Sequence, residues 1–358
     1  MANARDGMNY APDMGDADTV VQPGEFVFAA AHFDHGHIYG QIDGIASAGG
    51  TLKYVFDTQD GRVDSVLEKY PGAKRVSSFD AILDDDEVKL VTAAAIPNER
   101  CGLGIRIMDS GKDYLTDKAP FTTLDQLALA KAKAEETGRK YAVCYSERLL
   151  CESAYYAGEV ARSGRIGRVL QVLNLAPHNL AAQTRPEWFF QKEKFGGILT
   201  DIGSHQFEQF LYCAGANDAE IKFARVENFA NASYPEFEDF GEASAILDNG
   251  ASCYCRLDWF NPKGSQVWGD GRTFILGEKG YIEARKYRDI VRGEPDVVYI
   301  VDDEGEERVD CAGKVGFPFF GKFVLDCLNR TENAMTQAHA FKAAELAMQA
   351  QVLAEKSQ

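Results

Sequence analysis

None of the eight cysteines in this 358-residue chain forms a C-x-x-C pair, so the sequence carries no spacing that marks a zinc or dithiol centre. They are scattered through apolar contexts such as Ala142-Val143-Cys144 and Leu211-Tyr212-Cys213. Cys253 and Cys255 point the same way from one strand. Reduced, buried thiols in a cytoplasmic protein are the expectation. No apolar run approaches the ~20 residues of a membrane span. Positive charge is scarce: 38 Lys and Arg face 55 Asp and Glu, for a net charge of −17. That balance argues against nucleic acid and anionic membranes as partners and leaves small neutral ligands open. There is no internal repeat and no low-complexity tract. The first 24 residues are polar and acidic, unlike a secretory signal, and are expected to be an arm or an oligomer contact.

What is present is an ordinary globular composition, 45% apolar and 26% charged, in a chain long enough for two cores. Between residues 25 and 148, short apolar runs alternate with helical patterns. Glu25–His32, Leu52–Asp57, Val88–Ala95, Asp113–Thr116 and Tyr141–Tyr145 read as buried strands, and Lys74–Ser77 as a short one. His35–Gly49, Arg62–Tyr70, Asn98–Ser110 and Thr123–Thr137 read as helices between them. This alternation predicts an α/β domain of the Rossmann type, a doubly wound parallel sheet. From 149 to 358 the pattern changes. Arg168–Leu175, Glu220–Asn228, Glu238–Leu247, Ala251–Phe260, Arg272–Leu276, Tyr281–Ala284 and Val297–Val301 alternate like half-exposed strands. An α+β domain with an open antiparallel sheet follows, covered by helices at Phe319–Arg330 and Ala338–Lys356. One apolar face of that sheet is left to a second copy, so a homo-oligomer is expected.

A doubly wound sheet binds its ligand beyond the carboxyl ends of its strands, and the first strand-to-helix turn cradles a pyrophosphate. Here that turn lacks the G-x-G-x-x-G pattern: it reads His32-Phe33-Asp34-His35-Gly36-His37. Phe33, Asp34 and His35 therefore stand where a dinucleotide would meet the backbone, with Asp34 a candidate helix cap that would repel a phosphate. Asp57, ending the second strand, is placed to grip ribose hydroxyls and favours NAD over NADP. One or more of His32, His35 and His37 are read as facing the substrate cleft, without a metal.

In Gly196–Gln209, GGILTDIGSHQFEQ, Asp201 and His205 stand four residues apart. In a helix that spacing puts both on one face, about 5–6 Å apart at Cβ. An imidazole that titrates near neutrality suits proton transfer, and a carboxylate one turn away can orient it.

Three motifs in order resemble the Gfo/Idh/MocA oxidoreductases (glucose-fructose oxidoreductase and inositol dehydrogenase-like proteins): Ala95-Ile96-Pro97-Asn98, Asp117-Lys118, and Gly197…Asp201…His205. The chain departs from the family in its turn and in Ala119, where proline usually follows the lysine. The resemblance implies NAD(H), with Ala95, Pro97, Asn98, Asp117 and Lys118 on its nicotinamide side; whether the cofactor is tightly bound and kept through turnover stays open. It implies oxidation of a secondary hydroxyl of a sugar, cyclitol or glycoside, with C3 of a glucoside one candidate position. His205 is then the base, Lys118 its electrostatic partner, and Asp201 the group that orients substrate or imidazole. Tyr145, Arg148, His178, Asn179, Arg185 and Trp188, at the cleft side of both domains, are the candidate substrate contacts. A non-catalytic NAD-binding regulator and an NAD-dependent glycosidase remain as alternatives.

Overall fold

The computed structural model describes residues 19–59 and 61–356, so most of the N-terminal arm lies outside the described residues. Six strands form a parallel sheet: β1 (Val27–Phe33), β2 (Thr51–Phe56), β3 (Lys74–Arg75), β4 (Val88–Ala94), β5 (Asp113–Asp117) and β6 (Tyr141–Cys144). Helices α1 (His37–Ser47), α2 (Asp64–Lys69), α3 (Asp80–Leu83), α4 (Arg100–Asp109) and α5 (Leu124–Thr137) connect them. The strand order is β3-β2-β1-β4-β5-β6. It reverses between β1 and β4, and a crevice opens at that point beyond the strand ends. Strands this apolar form because both faces are covered: Phe28, Ala29, Ala30, Val91 and Leu115 are all fully buried.

After β6 come α6 (Ser146–Leu149) and α7 (Glu152–Arg162), then β7 (Val169–Pro177). Short helices α8 (Lys192–Phe195) and α9 (Ile198–Asp201) lead into α10 (Gly203–Ala214). The second sheet continues with β8 (Ala219–Glu227), β9 (Phe240–Leu247), β10 (Ser252–Asp258), β11 (Arg272–Gly277), β12 (Gly280–Arg285), β13 (Val297–Asp302) and β14 (Gly305–Asp310). Its order is β14-β13-β12-β11-β7-β10-β9-β8. The expectation of a wholly antiparallel sheet needs one correction: β10 runs parallel to β7. No hairpin can join a parallel pair, and here β8 and β9 intervene before the chain returns beside β7. Strand β14 and helix α7 were not anticipated; β14 is an exposed, charged edge (GEERVD) with little apolar alternation to reveal it.

Helices α11 (Pro318–Asn329) and α12 (Gln337–Lys356) close the chain. Helix α12 bridges the two sheets. The Tyr145 hydroxyl donates to the Ala340 carbonyl at 2.7 Å, and the Leu199 amide donates to Gln351 at 3.0 Å. All eight cysteines are free thiols and buried, and burial pushes the Cys213 and Cys255 thiols up to about 12. Among the described residues no helix is long and apolar enough to cross a membrane.

Candidate active site

The ligand edge of the parallel sheet and helix α10 meet in a closed interior. Lys118 follows the last residue of β5 and is 5% exposed; the Lys118–Ala119 peptide bond is cis. Its ammonium donates to Asp201 Oδ1 at 2.7 Å. Arg100 holds the same turn from below, donating to the carbonyls of Ala95 (2.7 Å), Ala119 (3.1 Å) and Lys118. A narrow cavity of about 10 Å³, room for about one water, opens onto Lys118 and Asp201. His35, Pro97, Arg185 and Trp188 are among its walls.

His205 lies in the first turn of α10, 2% exposed, and its Nδ1 has no partner. Burial drives its pKa down to about 3; the nearby charge of Glu147 opposes the fall and that of Lys118 adds to it. The ring is therefore neutral at any ordinary pH. Ile202 keeps helical φ and ψ, but the His205 amide bonds Ile202 while the Asp201 carbonyl accepts from the Ser204 hydroxyl, so the regular helical ladder is interrupted between Asp201 and His205. The expected Asp201–His205 pairing is corrected accordingly: Asp201 is spent on Lys118, and Glu147 is the acid whose charge acts most on the imidazole.

Beneath the site Asp117 is fully buried. His37 Nδ1 lies 2.8 Å from Oδ1; His35 Nδ1 and Arg100 Nη2 each lie 3.3 Å from Oδ2. Burial would raise this carboxyl, but His37, Arg100 and His35 outweigh it and hold it well below the usual range. His35, His37 and Asp117 each bring a ligand atom within 4.8 Å of the others. The guanidinium of Arg100 on the same carboxylate already supplies the compensating charge.

Local sequence explains how the His205 segment reaches this place. Gly196 and Gly197 both take positive φ, +84° and +95°, which side-chain-bearing residues rarely adopt. A Cβ on Gly197 would lie 2.3 Å from the Gln351 carboxamide, which anchors the Leu199 amide. Gly197→Ala is expected to cost about 1–3 kcal/mol through strain and this clash, read as a lowered midpoint in denaturant.

The parts of this geometry have counterparts in known proteins. Residues 156–283 match the family model for the GFO/IDH/MocA C-terminal domain. The crystal structure of a protein named only as an oxidoreductase, from Erwinia carotovora atroseptica SCRI1043, superposes with a TM-score of 0.89 at 45% identity, over 92% of this chain and 99% of that one. The chain belongs to the Gfo/Idh/MocA family.

More distant structures share the Gfo/Idh/MocA fold. A levoglucosan dehydrogenase in complex with NADH and levoglucosan superposes with a TM-score of 0.77 at 16% identity, over 93% of this chain and 98% of that one. A D-xylose dehydrogenase of Paenarthrobacter nicotinovorans is 22% identical over 151 residues, which is 41% of this chain and 39% of that protein. The match thus spans about two fifths of that curated relative.

Against the family frame, several sequence expectations change. Asp34 does not cap α1; the helix starts at an uncapped Gly36, and Asp34 accepts from Arg62 at 2.7 Å instead. Phe33 donates its amide to Asp57 Oδ2 at 2.6 Å, with its side chain in the core. Asn98 lies on a different, wider cleft beside Thr122 and Gln126, and its carbonyl accepts from the Gln126 amide at 2.9 Å. Asp117 is enclosed on all sides, so its part is to hold the turn from beneath. Arg148 faces away from Lys118: it grips Glu208 with two nitrogens and stacks 3.7 Å over Tyr212. Tyr145 spends its hydroxyl on Ala340 and offers His205 only a ring edge, 6.2 Å between centroids. The Asn179 amide donates to the Asn261 carbonyl at 3.2 Å. Arg185 and Trp188 do line the cavity; Arg185 packs over Phe189, Trp259 and Trp268. His178 approaches Glu147 at 3.7 Å. Sequence reasoning gave no role to Glu147, between Tyr145 and Arg148, or to Gln206, beside His205, and did not single out Lys286 or Arg100. Their convergence depends on the tertiary fold, and no local spacing reveals it.

Proposed function

We propose that this chain is an NAD(H)-dependent dehydrogenase that oxidises a secondary hydroxyl of a sugar, cyclitol or glycoside. The observation that supports the reading is that Lys118, at the parallel sheet's edge, and His205, on α10, are both buried and that the Lys118 charge acts on the neutral imidazole. Removing a hydroxyl proton needs a neutral base, and the oxygen left behind needs a positive group beside it. Lys118 is fixed for the second task by Asp201. Arg185, Trp188 and Trp259 give the cavity the apolar faces and sparse polar tips that suit a sugar ring. The NADH-bound levoglucosan dehydrogenase and the D-xylose dehydrogenase support a carbohydrate substrate.

The residues at the sheet's switch point fit a nicotinamide dinucleotide. No acid caps α1, whose first amides, those of His37, Ile38 and Tyr39, bond His35 and Gly36 within the turn. Asp57 sits at the end of β2 beside the turn, where an acid meets ribose hydroxyls. Arg62, 2.7 Å from Asp34 and 3.7 Å from Asp57, offsets the acid that stands in the turn. When bound, the dinucleotide supplies the hydride acceptor. The exposed apolar residues Phe223, Ile246, Leu276 and Tyr281 of the second sheet support pairing with a second copy.

Mass spectrometry of the denatured protein, calorimetric titration with NADH, and a polyol and glycoside panel test the reading. Asp57→Ala is expected to weaken NADH binding about tenfold or more, since a charged hydrogen-bond acceptor is lost. Unchanged affinity would contradict the adenosine placement. Release of aglycone from a glycoside would turn the assignment from dehydrogenase to glycosidase.

A further inference from the structure

A base held near pKa 3 is always available but takes a proton reluctantly, and the structure puts an acid where it offsets that reluctance. Glu147 lies in α6, 4% exposed, outside every motif that marked the site. Lys286, just past β12, donates to Glu147 Oε2 at 3.0 Å, and the Gln206 amide donates to the same oxygen at 2.9 Å. His178 Nε2, just past β7, stands 3.7 Å from the other oxygen, Oε1. Four segments from remote parts of the chain thus converge on one buried carboxylate.

The hydrogen-bond inventory of this cluster is incomplete in a specific way. His178 Nδ1 lies 3.0 Å from the Ala176 carbonyl, which can only accept, so Nδ1 carries the proton. Burial lowers the His178 pKa and leaves the ring neutral, so Nε2 is an acceptor. It faces Glu147 Oε1, also an acceptor and without a donor of its own. His205 Nδ1 lacks a partner as well. Two acceptors turned toward each other call for a donor from outside the chain, and a polyol hydroxyl is one. Burial would raise the Glu147 carboxyl, but the Lys286 ammonium, helped by the Gln206 hydrogen bond, holds it far below the usual range, so it stays an anion.

We propose that Glu147, fixed by Lys286 and Gln206, is a positioning residue. It braces His178 and, through Gln206, the first turn of α10, and it stabilises the positive charge His205 acquires with the substrate's hydroxyl proton. The proposal rests on His205 being the base. The charged and titratable groups that act on His205 are Glu147 from α6, Lys118 and Asp117 from the β5 edge, and His37 from α1. Lys118 and His37 disfavour the imidazolium; Glu147 favours it most and Asp117 less.

The test uses Glu147→Gln, Glu147→Asp and the full-length wild type. Glu147→Gln keeps the volume and the carbonyl but removes the charge. Its kcat is expected to fall about tenfold or more while KM stays within about threefold, and Glu147→Asp should recover part of the loss. Ring-nitrogen spectra of labelled histidines, taken on resting protein at neutral pH, give a readout independent of turnover. The His205 and His178 signals should move in Glu147→Gln while the backbone amide spectrum is preserved. Wild-type turnover in Glu147→Gln with unmoved ring signals would overturn the proposal. So would a loss of turnover that only tracks the loss of folded protein. If the wild type turns over no polyol at all, the dehydrogenase reading falls, and the ring signals alone decide for or against Glu147.

Discussion

Replacing His205 with asparagine is expected to cut kcat/KM on the best polyol by about 10²–10⁴-fold, the usual worth of a positioned general base. Lys118→Met should cost a similar factor, because the alkoxide would then form without a positive partner. The two act on one proton and one oxygen, so the double variant should be little worse than the poorer single one. Full additivity would mean that they serve separate steps. Lys118→Met carries a second cost: it strands the Asp201 carboxylate in a nearly closed site. Breaking a buried pair from one side costs about 3–5 kcal/mol. Adding Asp201→Asn should return much of that stability without returning turnover. Denaturant midpoints measured beside the kinetics separate the two effects.

Acid should destabilise the fold well above the usual carboxylate range. Burial depresses the His205 pKa to about 3 and holds that of His35 well below its ordinary value. In the unfolded chain both titrate near 6.5. Between the unfolded and folded pKa the unfolded state binds more protons, so stability rises with pH and is lost as pH falls from about 6.5 downward. Each fully depressed histidine contributes about 1.4 kcal/mol per pH unit in that window. At pH 5 His205 alone should have removed roughly 2 kcal/mol, and His35 adds in the same direction. Asp117, Glu147 and Glu208 work in a lower window. Their folded pKa values are depressed, so the stability they add is present above about pH 4 and lost below it. Urea unfolding at pH 7, 6 and 5 checks the sign. A curve flat over that range would contradict the burial of neutral imidazoles, and His205→Asn should flatten part of it.

How much of this was legible beforehand follows from what local sequence encodes. The parallel sheet was readable because runs such as VFAAAHF and VKLVTAA are buried on both faces and set off by helical spacing. Lys118 and His205 were readable as members of family motifs. Their partners were not. The D-x-x-x-H spacing suggested that Asp201 serves His205, but the buried ammonium of Lys118 takes one of its oxygens instead. Arg148 and Glu147 are adjacent in sequence, yet they face opposite sides: Arg148 meets Glu208, and Glu147 meets Lys286. That division depends on how α6 sits between the two sheets, which no periodicity records. The parallel pairing of β10 with β7 was hidden for the same reason, since strand alternation carries no direction.

A crystal structure of the complex with NADH and a bound polyol examines the central claim without intermediaries. The account requires one secondary hydroxyl of that polyol to lie within about 2.6–3.2 Å of both the Lys118 ammonium and a ring nitrogen of His205. A polyol seated elsewhere, with Lys118 and His205 on no common oxygen, would contradict it.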